Sequence, residues 1–530
     1  MTKHMRESSG RGGSPSLTYQ IALCGAALGA IISCASSSPV ASSPTSVAAA
    51  TPAASAPADA ASTVTADARA TDELAAAHAF AGWLEAFNSG DADAVTAYQK
   101  DHYTPELAAK APSGDNLRSF RQATGGFEVK KAEESSATRF VAVLKERNSD
   151  QFGRARLEVE AAEPHRIALI EIRAMPTPEE FRAPRIKEAD ALAAFRAEID
   201  KAVAADQFSG AVLIARGGVP IFTGAYGLAD RERKIPNKLD TRFRIGSMNK
   251  MFTATAILQL VQAGKLATSD MLAKILPDYP NKQVASKVTI HHLLTHTGGT
   301  GDIFGPEYDA HRLELRTLQD YVKLYGARDL EFEPGARWQY SNYGFLLLGA
   351  VIERVTRQSY YDWMSRRVFA PAGMTATASP VEGRADPARS VAYTRPDPDK
   401  PWASAADTLP YRGTSAGGGD STVTDLLRFA NALAKHTLLD PAHTAQLTTG
   451  TVETPGGDHY AYGFSDSTAG GVRCFGHGGG ARGMNGQLTI CESGYTVAIL
   501  ANLDPPAASR LATFITDRLP ASSPPAPAKK

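Results

Sequence analysis

Phe243-Arg244-Ile245-Gly246-Ser247-Met248-Asn249-Lys250 runs on into Met251-Phe252-Thr253-Ala254-Thr255-Ala256-Ile257-Leu258. A serine stands where a helix should begin, and a lysine follows three places later. From Met251 the residues favour helix. Apolar side chains recur at Ile257, Leu260 and Val261, and Gly264 supplies a stop, so the run reads as one amphipathic helix. Three residues are just under one turn, which puts Ser247 and Lys250 on the same face. A hydroxyl is a weak nucleophile at neutral pH. It needs a base within reach and donors for the oxyanion it creates. A lysine one turn away can serve if burial or nearby positive charge lowers its proton affinity. The backbone N–H groups at a helix start can meet developing negative charge.

The 530 residues make two or three domains the expectation. The 56 basic and 56 acidic residues balance, without basic runs, which argues against nucleic acid as a partner. The four cysteines, Cys24, Cys34, Cys474 and Cys491, suit neither a zinc site nor a disulfide framework.

Working outward to the N-terminus, Lys3, Arg6 and Arg11 precede an apolar stretch from Ile21 to Ile32. This pattern is that of an export signal. Ile31-Ile32-Ser33-Cys34 resembles a bacterial lipobox, which implies cleavage before Cys34 and a lipid on its thiol; a plain signal peptide is the alternative. Residues 35–70 are almost all Ala, Ser, Pro and Thr and read as a flexible linker. From Thr71 the composition changes. Phe80, Trp83, Leu84 and Phe87 mark an amphipathic helix ending near Ser89-Gly90-Asp91. Arg139 to Leu144, Arg156 to Glu160 and Ile167 to Ile172 read as strands. Helices followed by strands predict a small α+β domain over 71–178. Its opening resembles nuclear-transport-factor-like cone folds. His78 and His102 read as lone structural histidines.

C-terminal to this domain, Lys187 to Val203 reads as a helix. Phe208 to Arg216 and Val219 to Gly227 form a hairpin around Gly217-Gly218. Beyond the opening stretch, several separated words recur in order. Ser247-Met248-Asn249-Lys250 matches S-x-x-K. Leu293-Leu294-Thr295-His296-Thr297-Gly298-Gly299 comes next, then Tyr340-Ser341-Asn342 as Y-x-N. Ala416-Gly417-Gly418 follows with Ser421-Thr422 and Asp425-Leu426, and last comes His477-Gly478-Gly479. With these words in this order, residues from about 187 to 515 resemble the serine β-lactamase and penicillin-binding protein superfamily. The resemblance is to its class C-like branch, which contains D-Ala-D-Ala carboxypeptidases and β-lactamase-fold esterases. It implies Ser247 as nucleophile and Tyr340 as general base or acid, kept acidic by Lys250. Asn342 would bond Lys250 and the substrate amide. The oxyanion would be held by the N–H groups of Ser247 and Gly480, with Gly478 and Gly479 letting the substrate backbone approach. His477 departs from the lysine that often binds the substrate carboxylate in β-lactamases. A histidine is only partly charged at neutral pH, so efficient β-lactamase activity is not expected.

Other words have plainer readings. Gly413-Thr414-Ser415-Ala416-Gly417 fits the G-x-S-x-G elbow, but the preceding segment with Pro410 reads as loop, so a glycine-rich loop leading to a helix over Val423 to Leu433 is expected. His291, His292 and His296 lack the Glu of H-E-x-x-H and read as structural. Cys474 and Cys491 are equidistant from a turn between Arg482 and Gly483. A disulfide there would be worth up to ~3 kcal/mol, and a register shift in the glycine-rich hairpin would prevent it.

The expected protein has a signal peptide with lipobox (1–34), a linker (35–70), the α+β domain (71–178), a serine hydrolase domain (187–518) and a disordered tail (519–530). The hydrolase domain is expected to be an α/β sandwich, an antiparallel sheet flanked by helices with a helical subdomain. Its function would be hydrolysis of an ester or a D-amino-acid peptide through an acyl-enzyme, as in D-alanyl-D-alanine carboxypeptidases. The alternatives are a class C-type β-lactamase and a non-catalytic peptidoglycan-binding protein. No metal or organic cofactor is implied. The expected partners are a small-molecule or peptide substrate, peptidoglycan, and a membrane through the lipid anchor. The expected location is the periplasm or outer membrane of a bacterium.

Overall fold

In a computed structural model of the protein, residues 74–522 are described, apart from 385 and 398. The export signal, Cys34 and the linker over 35–70 lie outside the described residues. Among the described residues, the chain first builds four helices: α1 (Ala75–Ser89), α2 (Ala92–His102), α3 (Pro105–Ala108) and α4 (Gly114–Thr124). Phe80, Trp83 and Phe87 of α1 are buried, and Gly90 ends the helix in a left-handed conformation that favours glycine. Four antiparallel strands follow in sequence order: β1 (Phe127–Ser135), β2 (Arg139–Glu146), β3 (Phe152–Val159) and β4 (Ile167–Met175). The α1 aromatics pack on Phe140, Leu144, Leu157 and Ile167 of this sheet, a core separate from the rest of the chain.

The larger unit opens with α5 (Glu188–Ala204). The hairpin of β5 (Gly210–Arg216) and β6 (Val219–Tyr226) turns at Gly217 and Gly218 with φ of 58° and 78°. Positive φ at both positions is what a two-residue turn of this kind demands. A 3₁₀ turn, Gly246–Met248, feeds α6 (Asn249–Gln262). Then come α7 (Ile290–Leu294), α8 (Asn342–Thr356) and α9 (Val423–Ala434). The chain returns to the sheet through β7 (Val452–Glu453), β8 (His459–Tyr460), β9 (Ser465–Ala469), β10 (Val472–Ala481), β11 (Met484–Cys491) and β12 (Tyr495–Ala501). It ends in α10 (Ser509–Arg518).

These strands form one antiparallel eight-stranded sheet in the order β7-β8-β9-β10-β11-β12-β5-β6. Every residue of β12 is buried, so its run Tyr-Thr-Val-Ala-Ile-Leu-Ala is nearly continuously apolar. On one face Phe195 and Ile199 of α5 pack with Leu511 and Ile515 of α10 over Val212 and Ile499. On the other lie α6, α8 and α9 with the helical layer.

Three expectations change here. Helix α6 is buried on every face from Asn249 to Leu258, because it lies between the sheet and the helical layer; it is not amphipathic. Of the tail expected at 519–530, residues 523–530 lie outside the described residues, and the start at 519 is too early. Leu519 is buried in the core under α5, and its carbonyl accepts a bond from Arg185 at 2.7 Å. From sequence, Glu353, Arg354, Arg357, Arg366 and Arg367 read as a solvated charged face; Glu353 is instead half-buried, and its carboxylate turns back to accept the Tyr360 N–H at 2.9 Å. The question left open for Cys474 and Cys491 is answered by register. They sit directly opposite on β10 and β11 and are disulfide-bonded, with Cα atoms 4.0 Å apart.

The two units touch through α10: Arg518 donates to the Asp150 carboxylate at 2.8 Å, and Arg510 donates to the Asn148 carbonyl at 3.3 Å. Among the described residues, no helix is long and apolar enough to cross a membrane.

Candidate active site

The 3₁₀ turn places Ser247 in the wall of a cleft of about 1480 Å³. Neither this turn nor α6 is capped by a side chain, so the serine hydroxyl spends nothing on capping. Lys250 is fully buried beneath it. Its ammonium donates to Ser247 Oγ at 3.3 Å, to Asn342 Oδ1 at 2.7 Å and to the Ala416 carbonyl at 2.5 Å. The same nitrogen lies 4.6 Å from the centre of the Tyr340 ring. Tyr340, Asn342 and Ser247 all line the cleft.

Each partner is delivered by a local device. Ser341 caps α8 by accepting the Gly344 N–H at 2.9 Å, which makes Asn342 the first helical residue and leaves Tyr340 just outside. The loop 413–419 lies beside the start of α6. Thr253 Oγ1 donates to the Ser415 carbonyl at 2.8 Å, and the next carbonyl, that of Ala416, faces Lys250. Ser415 itself is fully buried against α8: a Cβ on Gly349 would come 2.3 Å from its hydroxyl. It is no exposed nucleophile on an elbow.

Strand β10 runs past the serine with its glycines facing it. A Cβ on Gly479 would come 1.9 Å from the Ile245 carbonyl and 3.1 Å from Ser247 N, and a Cβ on Gly246 would come 2.9 Å from Gly480 N. Only glycine permits this backbone-to-backbone approach. Gly480 lines the cleft; Gly478 and Gly479 are buried in the strand.

His477 sits differently from its expected place. It is fully buried, and both of its ring nitrogens are taken up by protein groups. The Ser341 N–H donates to His296 Nδ1 at 3.1 Å, so the neutral His296 ring carries its proton on Nε2 and donates to the Tyr460 hydroxyl at 3.1 Å. That hydroxyl donates to His477 Nε2 at 3.0 Å, and His477 Nδ1–H donates to the Gly478 carbonyl at 2.5 Å. A directed chain thus joins the Tyr340 loop to β10. Burial and the Lys250 charge hold His477 down at about 3, and burial with the same charge and His477 holds His296 well below its ordinary value. The expected partly charged imidazole is therefore corrected to a neutral one, because the site is dry and already holds a cation.

The sign of the consequence is fixed. The unfolded histidine binds its proton near pH 6.5 and the folded one near 3, so stability is full above 6.5 and falls as pH drops through that window. At pH 5, His477 alone should have withdrawn about 2 kcal/mol. Melting curves from pH 7.5 to 5 should show a steeper loss in the wild type than in His477→Gln. Equal slopes would contradict the neutral assignment.

The remaining histidines of the apparent cluster separate. His291 Nδ1 meets the Tyr462 hydroxyl at 2.9 Å, and His292 closes a capping box with Thr289 at the start of α7. Sequence reasoning missed Asp302, whose carboxylate accepts both the backbone N–H of Asn342, at 2.9 Å, and its side-chain Nδ2, at 3.1 Å. One Asn342 N–H is thereby withdrawn from the expected substrate contact. Its one signal was an acid standing alone in Gly-Thr-Gly-Asp-Ile-Phe. The sequence makes the segments Gly301 to Arg316 and Pro380 to Arg412 the expected pocket walls, and the cleft is lined by Phe304 and Tyr308 from the first and by Leu409 and Pro410 from the second. Arg173 to Thr177, at and just beyond the end of β4 in the first domain, also line it and were not anticipated.

A family model described as Beta-lactamase matches residues 195–521. The chain belongs to this family, that of the serine β-lactamases and penicillin-binding proteins. It is 37% identical to Penicillin-binding protein 4* of Bacillus subtilis over 176 residues, 32% of this chain and 38% of that protein. It is 38% identical to Esterase EstB of Burkholderia gladioli over 192 residues, 34% of this chain and 49% of that one. The chain thus spans less than half the length of either relative. The crystal structure of a penicillin-binding protein from Bacillus halodurans superposes with a TM-score of 0.54 at 31% identity, covering 60% of this chain and 99% of that one.

Proposed function

We propose that the protein is a serine hydrolase that cleaves esters or D-amino-acid peptides through an acyl-Ser247 intermediate. The observation that carries the reading is the convergence of Ser247, Lys250, Tyr340 and Asn342, from two separate helix starts, on one cleft. Ser247 Oγ attacks the acyl carbon while its proton passes to the Lys250–Tyr340 pair. The oxyanion forms beside the N–H groups of Ser247 and Gly480. Collapse breaks the bond to the leaving group, which takes up the proton, and water then repeats the sequence on the acyl-enzyme. Lys250 holds positive charge against the Tyr340 ring, the condition under which a phenol can act as base.

The neutral imidazole at His477 supports an ester or peptide over a β-lactam, since no ammonium stands at that position to meet the β-lactam carboxylate. The name of Esterase EstB and the penicillin-binding relatives support the same two substrate classes. We extend the proposal to the cell envelope as location, from the basic start, the apolar stretch and Cys34.

A panel of p-nitrophenyl esters, D-Ala-D-Ala peptides, D-aminoacyl amides and nitrocefin tests the assignment. Turnover of an ester or a D-peptide is expected, with kcat/KM for nitrocefin at least about 10²-fold lower. Nitrocefin hydrolysed as fast as the best ester would favour the β-lactamase alternative instead.

A further inference from the structure

We propose that Asp302 is a positioning residue that fixes the Asn342 side-chain amide with its oxygen toward Lys250. The inference rests on reading Lys250 as the proton partner of Ser247. A carboxamide can sit either way round, and its two orientations offer Lys250 opposite things: an acceptor or a donor. At Asn342 the choice is made from behind. Asp302 Oδ1 accepts the backbone N–H groups of Ile303, at 2.8 Å, and Asn342, at 2.9 Å; Oδ2 accepts Asn342 Nδ2 at 3.1 Å. A carboxylate has no N–H to offer, so the amide must turn its nitrogen to Asp302. Its oxygen then faces Lys250, at 2.7 Å.

The acid is itself held. Arg328 donates to the Asp302 carbonyl at 2.7 Å, and Ser341 Oγ donates to the Gly301 carbonyl at 2.5 Å, which ties this loop to the start of α8. Gly299, two residues before that carbonyl, has φ of 67°, and a Cβ there would come 2.2 Å from the Phe332 carbonyl, so the loop reaches Asn342 only with glycine at that turn. Burial pushes the Asp302 carboxyl up against these donors and the Lys250 charge. A half-buried acid kept in that state beside the nucleophile's lysine is costly, and the orientation of Asn342 is what it secures.

Replacement by asparagine reverses one contact and keeps the shape. In Asp302→Asn the new oxygen keeps the two backbone N–H groups, and the new NH₂ meets the NH₂ of Asn342. The Asn342 amide must then turn over and present its N–H to Lys250. Exchanging the two residues, Asp302→Asn with Asn342→Asp, restores every donor to an acceptor: the amide now at position 302 donates to the carboxylate now at position 342, which also accepts from Lys250.

Hydrolysis of p-nitrophenyl acetate by the full chain and these variants tests this. Asp302→Asn should lower kcat by about 10²-fold with KM within about threefold, and the exchange should recover at least tenfold of the loss. Asp302→Asn at wild-type kcat would overturn the inference. So would an exchange no more active than either single variant, whether through lost chemistry or lost folding. Covalent labelling of Ser247 in the wild type separates this outcome from failure of the serine mechanism itself.

Discussion

Ser247→Ala should lower kcat for p-nitrophenyl acetate by about 10³-fold or more, roughly 4 kcal/mol of transition-state stabilisation. The fold should not notice. Ser247 caps no helix, and Lys250 keeps its bonds to Asn342 and the Ala416 carbonyl when the hydroxyl goes. Stability should stay within about 0.5 kcal/mol of the wild type, as for a substitution that leaves no buried group unpaired. The two effects together distinguish a nucleophile from a structural serine. Ser247→Ala/Lys250→Ala should be no slower than Ser247→Ala alone, because residues that act as one unit do not add. A double variant slower by a further 10²-fold would show Lys250 acting on something other than Ser247.

Gly479→Ala should lower kcat by about 10²-fold and destabilise the fold by about 2 kcal/mol. The added methyl carbon would sit 1.9 Å from the Ile245 carbonyl, a backbone atom that cannot swing aside. Strand and turn must part by more than an ångström, and that is the distance between Ser247 N and the strand that the oxyanion depends on. Gly383→Ala is the matched control: no heavy atom lies within 4 Å of its would-be Cβ, and it should be neutral. Steady-state kinetics and thermal unfolding of both variants read the difference. Gly479→Ala with full activity would show that this approach does not position the oxyanion donors.

The legible part of the site was its side-chain chemistry. Ser247 and Lys250 are three residues apart, so helical geometry alone puts them on one face, and Tyr340 and Asn342 flank a cap serine. The β-rich runs and the Gly217-Gly218 turn marked their strands in the same local way. What stayed hidden depends on tertiary burial. The Ala416 carbonyl contacts Lys250 through an atom that every residue possesses, so no residue type announces it. His296 bonds Tyr460, and Tyr460 bonds His477, only because the segment after α7, β8 and β10 converge. The charge of His477 was misjudged for the same reason: a histidine in a glycine-rich word gives no sign that it will be sealed beside Lys250. Helix α6 shows the effect on fold. Its sequence carries a stripe that suggests one wet face, yet a helix between two layers has none.

In the proposed mechanism Ser247 carries the acyl group. Reacting the protein with a fluorophosphonate and mapping the adduct by peptide mass spectrometry tests it most directly. A single adduct is expected on the peptide containing Ser247, formed in step with loss of esterase activity. An adduct on Ser415, or full loss of activity with Ser247 unmodified, would contradict it.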